Sequence, residues 1–147
     1  MQMRIIDEDL ALIPYYPNVE EALPWYRDPD VCRQVDNIDS VYTPEMLNGM
    51  YGYLNTHGQL YYIRYQGKLV GDVCLRDNDE VCIVVCKDYQ NRHIGRRCIA
   101  EMIRLAKEKG LPKIKAHIYS FNTQSQKMFL AAGFVHRAGE WYDFDLT

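Results

Sequence analysis

The sequence predicts an α/β fold of the mixed, α+β kind: one domain with a largely antiparallel central sheet of about seven strands flanked by helices. Three observations predict it. Between residues 60 and 85, three short apolar runs are separated by turn-forming clusters at Gln66-Gly67-Lys68 and Asp77-Asn78-Asp79, the pattern of consecutive antiparallel hairpins. From Ile94 the apolar spacing lengthens to that of an amphipathic helix. Beyond Pro112 the alternation returns, with Ile114, Ala116 and Ile118 interleaved by Lys115, His117 and Tyr119. At 147 residues and 48% hydrophobic content the chain has the size and apolar content for one core, and no repeat or linker divides it.

In chain order, a short strand is expected at residues 3–7. A first helix then runs from about Asn18, a capping residue followed by Glu20 and Glu21, to Tyr26. A second follows Asp28-Pro29-Asp30, where proline suits a first helical turn, and Thr43-Pro44-Glu45 starts a third that fades near Gly58. Strands at 60–65, 69–75 and 80–85 form the hairpins. In the next helix Ile94, Cys98, Met102, Leu105 and Ala106 share one face, while Arg96, Arg97, Arg104 and Lys107 point outward; Lys109-Gly110 with Pro112 beyond stops it. Asn122 caps a short helix ending at Gly133, and strands at 134–137 and 141–146 close the sheet.

Composition narrows the class. No stretch approaches the roughly 20 apolar residues of a membrane span, and Met1-Gln2-Met3-Arg4-Ile5-Ile6-Asp7 lacks the apolar run of a secretory signal, so a soluble, cytoplasmic protein is expected. The five cysteines (Cys32, Cys74, Cys82, Cys86, Cys98) show no Cys-x-x-Cys spacing, so neither a disulfide framework nor a metal site is expected. The net charge of −3 conceals an asymmetry: residues 1–57 carry ten acids and three bases, residues 58–147 ten acids and fourteen bases. An acidic front and a basic back suit a cationic and an anionic ligand held together, and equally suit two solvated surfaces.

The basic charge gathers at Gln90-Asn91-Arg92-His93-Ile94-Gly95, where a strand turns into a helix. Unpaired N–H groups at such a helix start converge on one spot, and the helix dipole favours an anion there. Arg92, Arg96 and Arg97 add forked donors matched to phosphate oxygens. Neither Gly-x-x-x-x-Gly-Lys-Ser/Thr nor a Gly-x-Gly-x-x-Gly fingerprint is present, which leaves coenzyme A as the natural pyrophosphate ligand.

Residues 83–95, Ile83-Val84-Val85-Cys86-Lys87-Asp88-Tyr89 followed by that turn, resemble the strand and Gln/Arg-x-x-Gly-x-Gly/Ala loop of the GNAT superfamily of N-acetyltransferases. Asn122-Thr123-Gln124-Ser125, then Phe129, then Gly133-Phe134, resembles its second signature. The resemblance implies an acetyl-CoA co-substrate and no metal. Backbone groups of Ile83, Val84 and Val85 would pair with the pantetheine arm, Gln90, Asn91, Arg92, His93, Ile94, Gly95 and Arg96 would hold the pyrophosphate, and Asn122, Ser125 and Phe129 would complete the cofactor site. Asn122 also reads as a helix N-cap. It further implies a division of the single domain into an acceptor side (1–57), an acetyl-CoA core (58–134) and closing strands (135–147). Two positions depart from the family pattern: His93 stands where the first glycine is usual, implying a wider turn or a tolerated positive φ, and Phe129 stands where a tyrosine acid is common.

Acetyl transfer needs a neutral amine, yet an alkyl amine with pKa about 10.4 is almost fully protonated at neutral pH, a penalty of roughly 4 to 5 kcal/mol. The family's carboxylate position falls on Asp79, with Glu80 adjacent, and a second family pattern falls on His117; each is a candidate base. Asp79 equally suits a turn and His117 a half-exposed strand position. Tyr119, Tyr142 or a water is the candidate replacement for the missing acid. The expected activity is acetyl-CoA-dependent N-acetylation of a primary amine on a cationic acceptor: a small amine, an aminoglycoside-like molecule or a protein N-terminus, bound by a monomer or homodimer without nucleic-acid or membrane partners. The alternative, motivated by Phe129, is an acyl-CoA-binding regulatory module with little catalysis.

Overall fold

The structure is a computed structural model that describes residues 1–147. Its elements are β1 (Arg4–Ile5), β2 (Leu10–Pro14), α1 (Val19–Ala22), a 3-10 turn (Leu23–Arg27), α2 (Pro29–Asp36), α3 (Pro44–Thr56), β3 (Gly58–Tyr65), β4 (Lys68–Arg76), β5 (Val81–Val85), α4 (Ile94–Glu108), β6 (Lys113–His117), α5 (Thr123–Ala131), β7 (Val135–Ala138) and β8 (Trp141–Asp145). The class is the mixed α/β fold expected from sequence, with eight strands in two sheets.

The hairpins fall where the turn residues place them. Gln66 and Gly67 both take positive φ between β3 and β4, and Asp79 takes φ 70° in the turn before β5. The first sheet is antiparallel in the order β1-β2-β3-β4-β5, and the second is β6-β8-β7. They meet at one parallel contact, Glu80 beside Lys115, where the Lys115 N–H donates to the Asp79 carbonyl at 3.0 Å. Past that contact no ladder joins β5 to β6, and the two sheets part.

Each face of the first sheet is covered by its own layer. The amphipathic face of α4, with Ile94, Cys98, Met102 and Ala106 fully buried, packs with α5 against Tyr61, Ile63, Val73 and Leu75. The N-terminal helices cover the opposite face, burying Trp25, Tyr26, Leu47 and Tyr51 against Leu60, Tyr62 and Cys74. Strand alternation sends neighbouring residues of β3 and β4 to these two layers in turn. The five cysteines are free, three of them buried. No helix is long and apolar enough to cross a membrane.

Three local differences from the sequence reading have physical causes. Strand β1 is only two residues long, and its partner β2 occupies Leu-Ala-Leu-Ile-Pro, a continuous apolar run rather than an alternating one. The segment after Asn18 is not one helix to Tyr26: Pro24 lacks an N–H and ends α1 after four residues, so a 3-10 turn follows, and the Asn18 side chain makes no cap. Arg97 keeps one bond to the basic turn, its Nε donating to the His93 carbonyl at 3.3 Å, but its guanidinium pairs with Asp7 at 2.7 Å and lies over Tyr65, outside the cavity lining described below.

Candidate active site

The parting of β5 from β6 opens a cavity of about 730 Å³. Its lining includes all of Val81–Val85, the start of α4, Asn122 to Ser125 and Phe129 near α5, and residues of α2 and α3. The cavity therefore has walls from both helical layers, with the edge of β5 between them.

That edge carries free backbone groups. Arg76 N–H donates to Glu80 C=O at 2.9 Å and Cys86 N–H donates to Val70 C=O at 2.8 Å, so even-numbered residues of this strand bond to β4. By the alternation of an antiparallel ladder, Ile83 and Val85 direct their N–H and C=O toward the cleft. The Val85 carbonyl is taken by Gln90, whose Nε2 donates to it at 2.9 Å. Such an edge accepts an extended amide-bearing chain as an added strand.

The turn into α4 is built on two non-glycine residues with left-handed backbone, Asn91 (φ 64°) and His93 (φ 61°). Asparagine and histidine are among the residues that tolerate this region, which explains how His93 takes a position where glycine is common. His93 is the N-cap of α4 and makes no side-chain cap, and the N–H groups of Ile94, Gly95 and Arg96 find no acceptor within the chain. This uncapped, positively polarised terminus faces the cavity with Arg96 beside it. Coenzyme A fits these features: the free strand edge suits its amide arm and the helix start suits its pyrophosphate.

Of the candidate cofactor residues, Ile83, Val84, Val85, Gln90, Asn91, His93, Ile94, Gly95, Arg96, Asn122, Ser125 and Phe129 all line the cavity. Arg92 does not; it is exposed, with its guanidinium 4.9 Å from the Tyr89 ring centroid. Several of these side chains have internal duties. Gln90 braces the end of β5 and also donates to Gln34 Oε1 at 3.0 Å, tying the turn to α2. Asn122 caps α5 by accepting from the Ser125 N–H at 3.1 Å, and its Nδ2 donates to the Gln34 carbonyl at 3.4 Å. Gly95 lets α5 approach, since a Cβ there would overlap the Met128 sulfur. Phe129 is buried edge-on against Phe134 with centroids 5.0 Å apart, and it has no polar atom to offer the cavity.

The four candidate catalytic residues separate. Glu80 and His117 line the cavity; Asp79 and Tyr119 do not. Asp79 belongs to the turn whose carbonyl holds the two sheets together. Tyr119 stacks on exposed Phe121 at 5.5 Å, and burial raises its hydroxyl above the usual tyrosine range. Glu80 is paired with Arg76 at 3.4 Å. The His117 Nε2 lies 3.1 Å from Glu140 Oε1, while Glu140 Oε2 accepts from the Ser120 N–H at 2.6 Å, so a carboxylate from the loop before β8 orients the imidazole. Glu140, beside Gly139 in a turn, gave no sequence signal of this role.

Another carboxylate was missed. Asp72, in the middle of β4, is 4% exposed and lines the cavity from the N-terminal side. Tyr26 and Tyr51 hydroxyls donate to its Oδ2 at 2.7 and 2.8 Å. Burial pushes its carboxyl up to about 6, with the two tyrosine hydrogen bonds acting in the opposite direction. The only sequence signal was a lone acid inside Leu69-Val70-Gly71-Asp72-Val73-Cys74-Leu75.

The sequence model of the Acetyltransferase (GNAT) family matches residues 19–134. The chain belongs to the GNAT acetyltransferase family. Solved structures agree at the level of fold. RimL, a ribosomal L7/L12 alpha-N-protein acetyltransferase in complex with coenzyme A, superposes with a TM-score of 0.81 at 11% identity, covering 99% of this chain and 98% of RimL. A domain from Methanocaldococcus jannaschii gives 0.80 at 22% identity over 95% of this chain and 100% of that domain. Spermidine N-acetyltransferase from Vibrio cholerae, in complex with CoA and spermine, gives 0.75 at 15% identity over 93% and 92% of the two chains. No curated protein matches the sequence significantly. The family assignment thus rests on the family model, and the solved structures of similar fold, two of them complexes with coenzyme A, agree with it in architecture.

Proposed function

We propose that this protein moves the acetyl group of acetyl-CoA to a primary amine on a compact, cationic acceptor. One observation carries the reading. A single cavity joins the uncapped start of α4, suited to an anion, to a wall on the far side that holds a buried carboxylate and tyrosine rings. A dianionic pyrophosphate and an ammonium would each find a complementary end.

In this reading Ile83 and Val85 hold the amide arm along the edge of β5, and the N–H groups of Ile94, Gly95 and Arg96 with the Arg96 guanidinium bind the pyrophosphate. The acceptor enters between α2 and α3, in the part of the sequence that carries ten acids and three bases. Its neutral nitrogen attacks the thioester carbonyl, the N–C bond forms as the C–S bond breaks, and the sulfur leaves as thiolate. A thiol with pKa about 8.5 is a passable leaving group, so Phe129 in place of an acid is compatible with turnover. In the same reading His117, which Glu140 orients, exchanges protons with solvent at the cavity wall. Relatives of this fold include one named for a protein N-terminus and one for spermidine, both amine acceptors.

The test is thiol release from acetyl-CoA across a panel of amines: diamines and polyamines, aminoglycosides, and peptides with free N-termini. Turnover is expected with slim alkyl amines, and Arg96→Ala is expected to raise the KM for acetyl-CoA while leaving that for the amine unchanged. Tight acetyl-CoA binding with no transfer to any amine would overturn the assignment.

A further inference from the structure

We propose that Asp72, enclosed by Tyr26, Tyr42 and Tyr51, is a buried ammonium-binding site that selects an unbranched primary alkyl amine and receives its proton during transfer. The proposal rests on the acetyltransferase reading for the acyl donor; the acceptor half comes from the geometry around β4.

Asp72 is a buried carboxylate with one oxygen left over. Both tyrosine hydroxyls donate to Oδ2, and no group of the chain donates to Oδ1, although the residue lines the cavity. It takes part in no ion pair, unlike Asp143 and Glu101, the other buried acids, which pair with Arg137 and Arg4. The groups around it are Tyr26 beside α1, Tyr42 before α3, Tyr51 in α3, Tyr62 in β3 and Cys74 on its own strand, with no cation among them. Burial raises each of these hydroxyls and the thiol, so they stay protonated and neutral. An anion so placed is costly unless a cation joins it, and the cavity is the side from which one can arrive.

The surroundings define that cation. Tyr26 and Tyr42, with ring centroids 4.9 Å apart, lie in the cavity lining, so aromatic rings surround the place an ammonium would take. Val31, Val35, Met50 and Leu54 line the same side and suit a methylene stem. The other carboxylate on this wall, Asp36, already accepts from the Tyr42 hydroxyl, so Asp72 offers a single free oxygen, and a primary ammonium on an alkyl chain is the matching group.

Position makes the site chemical as well as selective. Asp72 lies directly opposite Val84 in the β4–β5 ladder, which places their side chains about 5 Å apart and beside the free edge at Ile83 and Val85. Glu80 is already balanced by Arg76, and one His117 nitrogen is committed to Glu140. In a dry site both the carboxylate and the ammonium are disfavoured, so the proton passes from nitrogen to Oδ1 and leaves a neutral pair. The freed amine attacks the thioester carbon, the C–S bond releases thiolate, and the second nitrogen proton goes to that sulfur; Asp72 then returns its proton to solvent.

Asp72→Asn tests this, since the amide oxygen still accepts from both tyrosines. Two acceptors are compared: n-butylamine, charged at neutral pH, and an alkoxyamine, uncharged there. The expected result is a fall of about 10²-fold or more in kcat/KM for n-butylamine with a much smaller fall for the alkoxyamine and unchanged CoA binding. Equal losses for both amines, or a loss of less than about threefold for n-butylamine, would overturn the proposal. Tyr51→Phe covers the case of a poorly folded variant: it removes one donor to the carboxylate and should move the acid limb of the n-butylamine pH profile upward, whereas an unmoved limb counts against Asp72. Calorimetric titration of n-butylammonium into the CoA-saturated protein separates this proposal from the acetyltransferase reading. Binding that Asp72→Asn abolishes supports the site even if no acetyl is transferred, and absence of binding in the wild type refutes it even if other amines are acetylated.

Discussion

Gly71→Ala should unfasten β5 from β4, because the glycine is a requirement of backbone packing. A Cβ at residue 71 would overlap the Val84 carbonyl oxygen and lie 3.1 Å from both the Val84 carbonyl carbon and the Val85 Cα. All three atoms are main chain, so no rotamer change relieves the clash; β5 must retreat by on the order of 1 Å. Overpacking of this kind costs about 1 to 3 kcal/mol, and weakening the adjacent bonds between Asp72 and Val84 adds about 1 kcal/mol. The total, about 3 kcal/mol, should shift a urea midpoint by about 1 to 2 M and lower Tm by roughly 6 to 12 °C. Since the retreating strand carries the edge groups of Ile83 and Val85, the KM for acetyl-CoA should also rise. Gly49→Ala is the control: its Cβ meets nothing within 4 Å, it lies inside α3, and it should stabilise by up to about 1 kcal/mol. If Gly71→Ala and Gly49→Ala both fell within about 0.5 kcal/mol of wild type, the contact argument would be wrong.

Stability should depend on Asp72 through pH. Its carboxyl is raised from 3.8 to about 6 in the fold, so the folded state binds the extra proton between these values and stability falls as pH rises through that window, by about 3 kcal/mol from this group. Asp72→Asn should lack that slope in urea melts at pH 4 and pH 7. Arg4→Met should destabilise by about 2 to 4 kcal/mol, because Glu101 is buried and loses its 2.8 Å partner, with Arg104 at 3.7 Å giving only partial compensation; adding Glu101→Gln should recover most of the loss in a double-mutant cycle. His93→Val should cost about 1 to 2 kcal/mol and raise the KM for acetyl-CoA, since a β-branched residue resists the left-handed backbone at φ 61°, whereas His93→Gly should keep the fold.

What the sequence made legible was local. The turn residues at 66–67 and 77–79 fixed the hairpins, and the spacing of Ile94, Cys98, Met102 and Ala106 fixed α4, because each depends on neighbours a few positions away. Strand β2 escaped because burial on both faces removes the alternation by which a strand is recognised, and Pro14 argued against one. Of the site, the half built from one continuous stretch, residues 83–96, was visible as a turn and a basic helix start. The pairing of Arg97 with Asp7 was not legible because the two lie 90 residues apart. The acceptor half was invisible for the same reason: the tyrosines that bond Asp72 come from 46 and 21 residues upstream, and nothing local distinguishes them from the chain's ten other tyrosines. A carboxylate alone among apolar neighbours in a central strand has to find donors or a ligand, so such a residue is a prompt to ask what the fold brings to it. Here the fold brings two hydroxyls to one oxygen and leaves the other without a donor on a residue that lines the cavity, and that asymmetry is what the proposed ammonium site rests on.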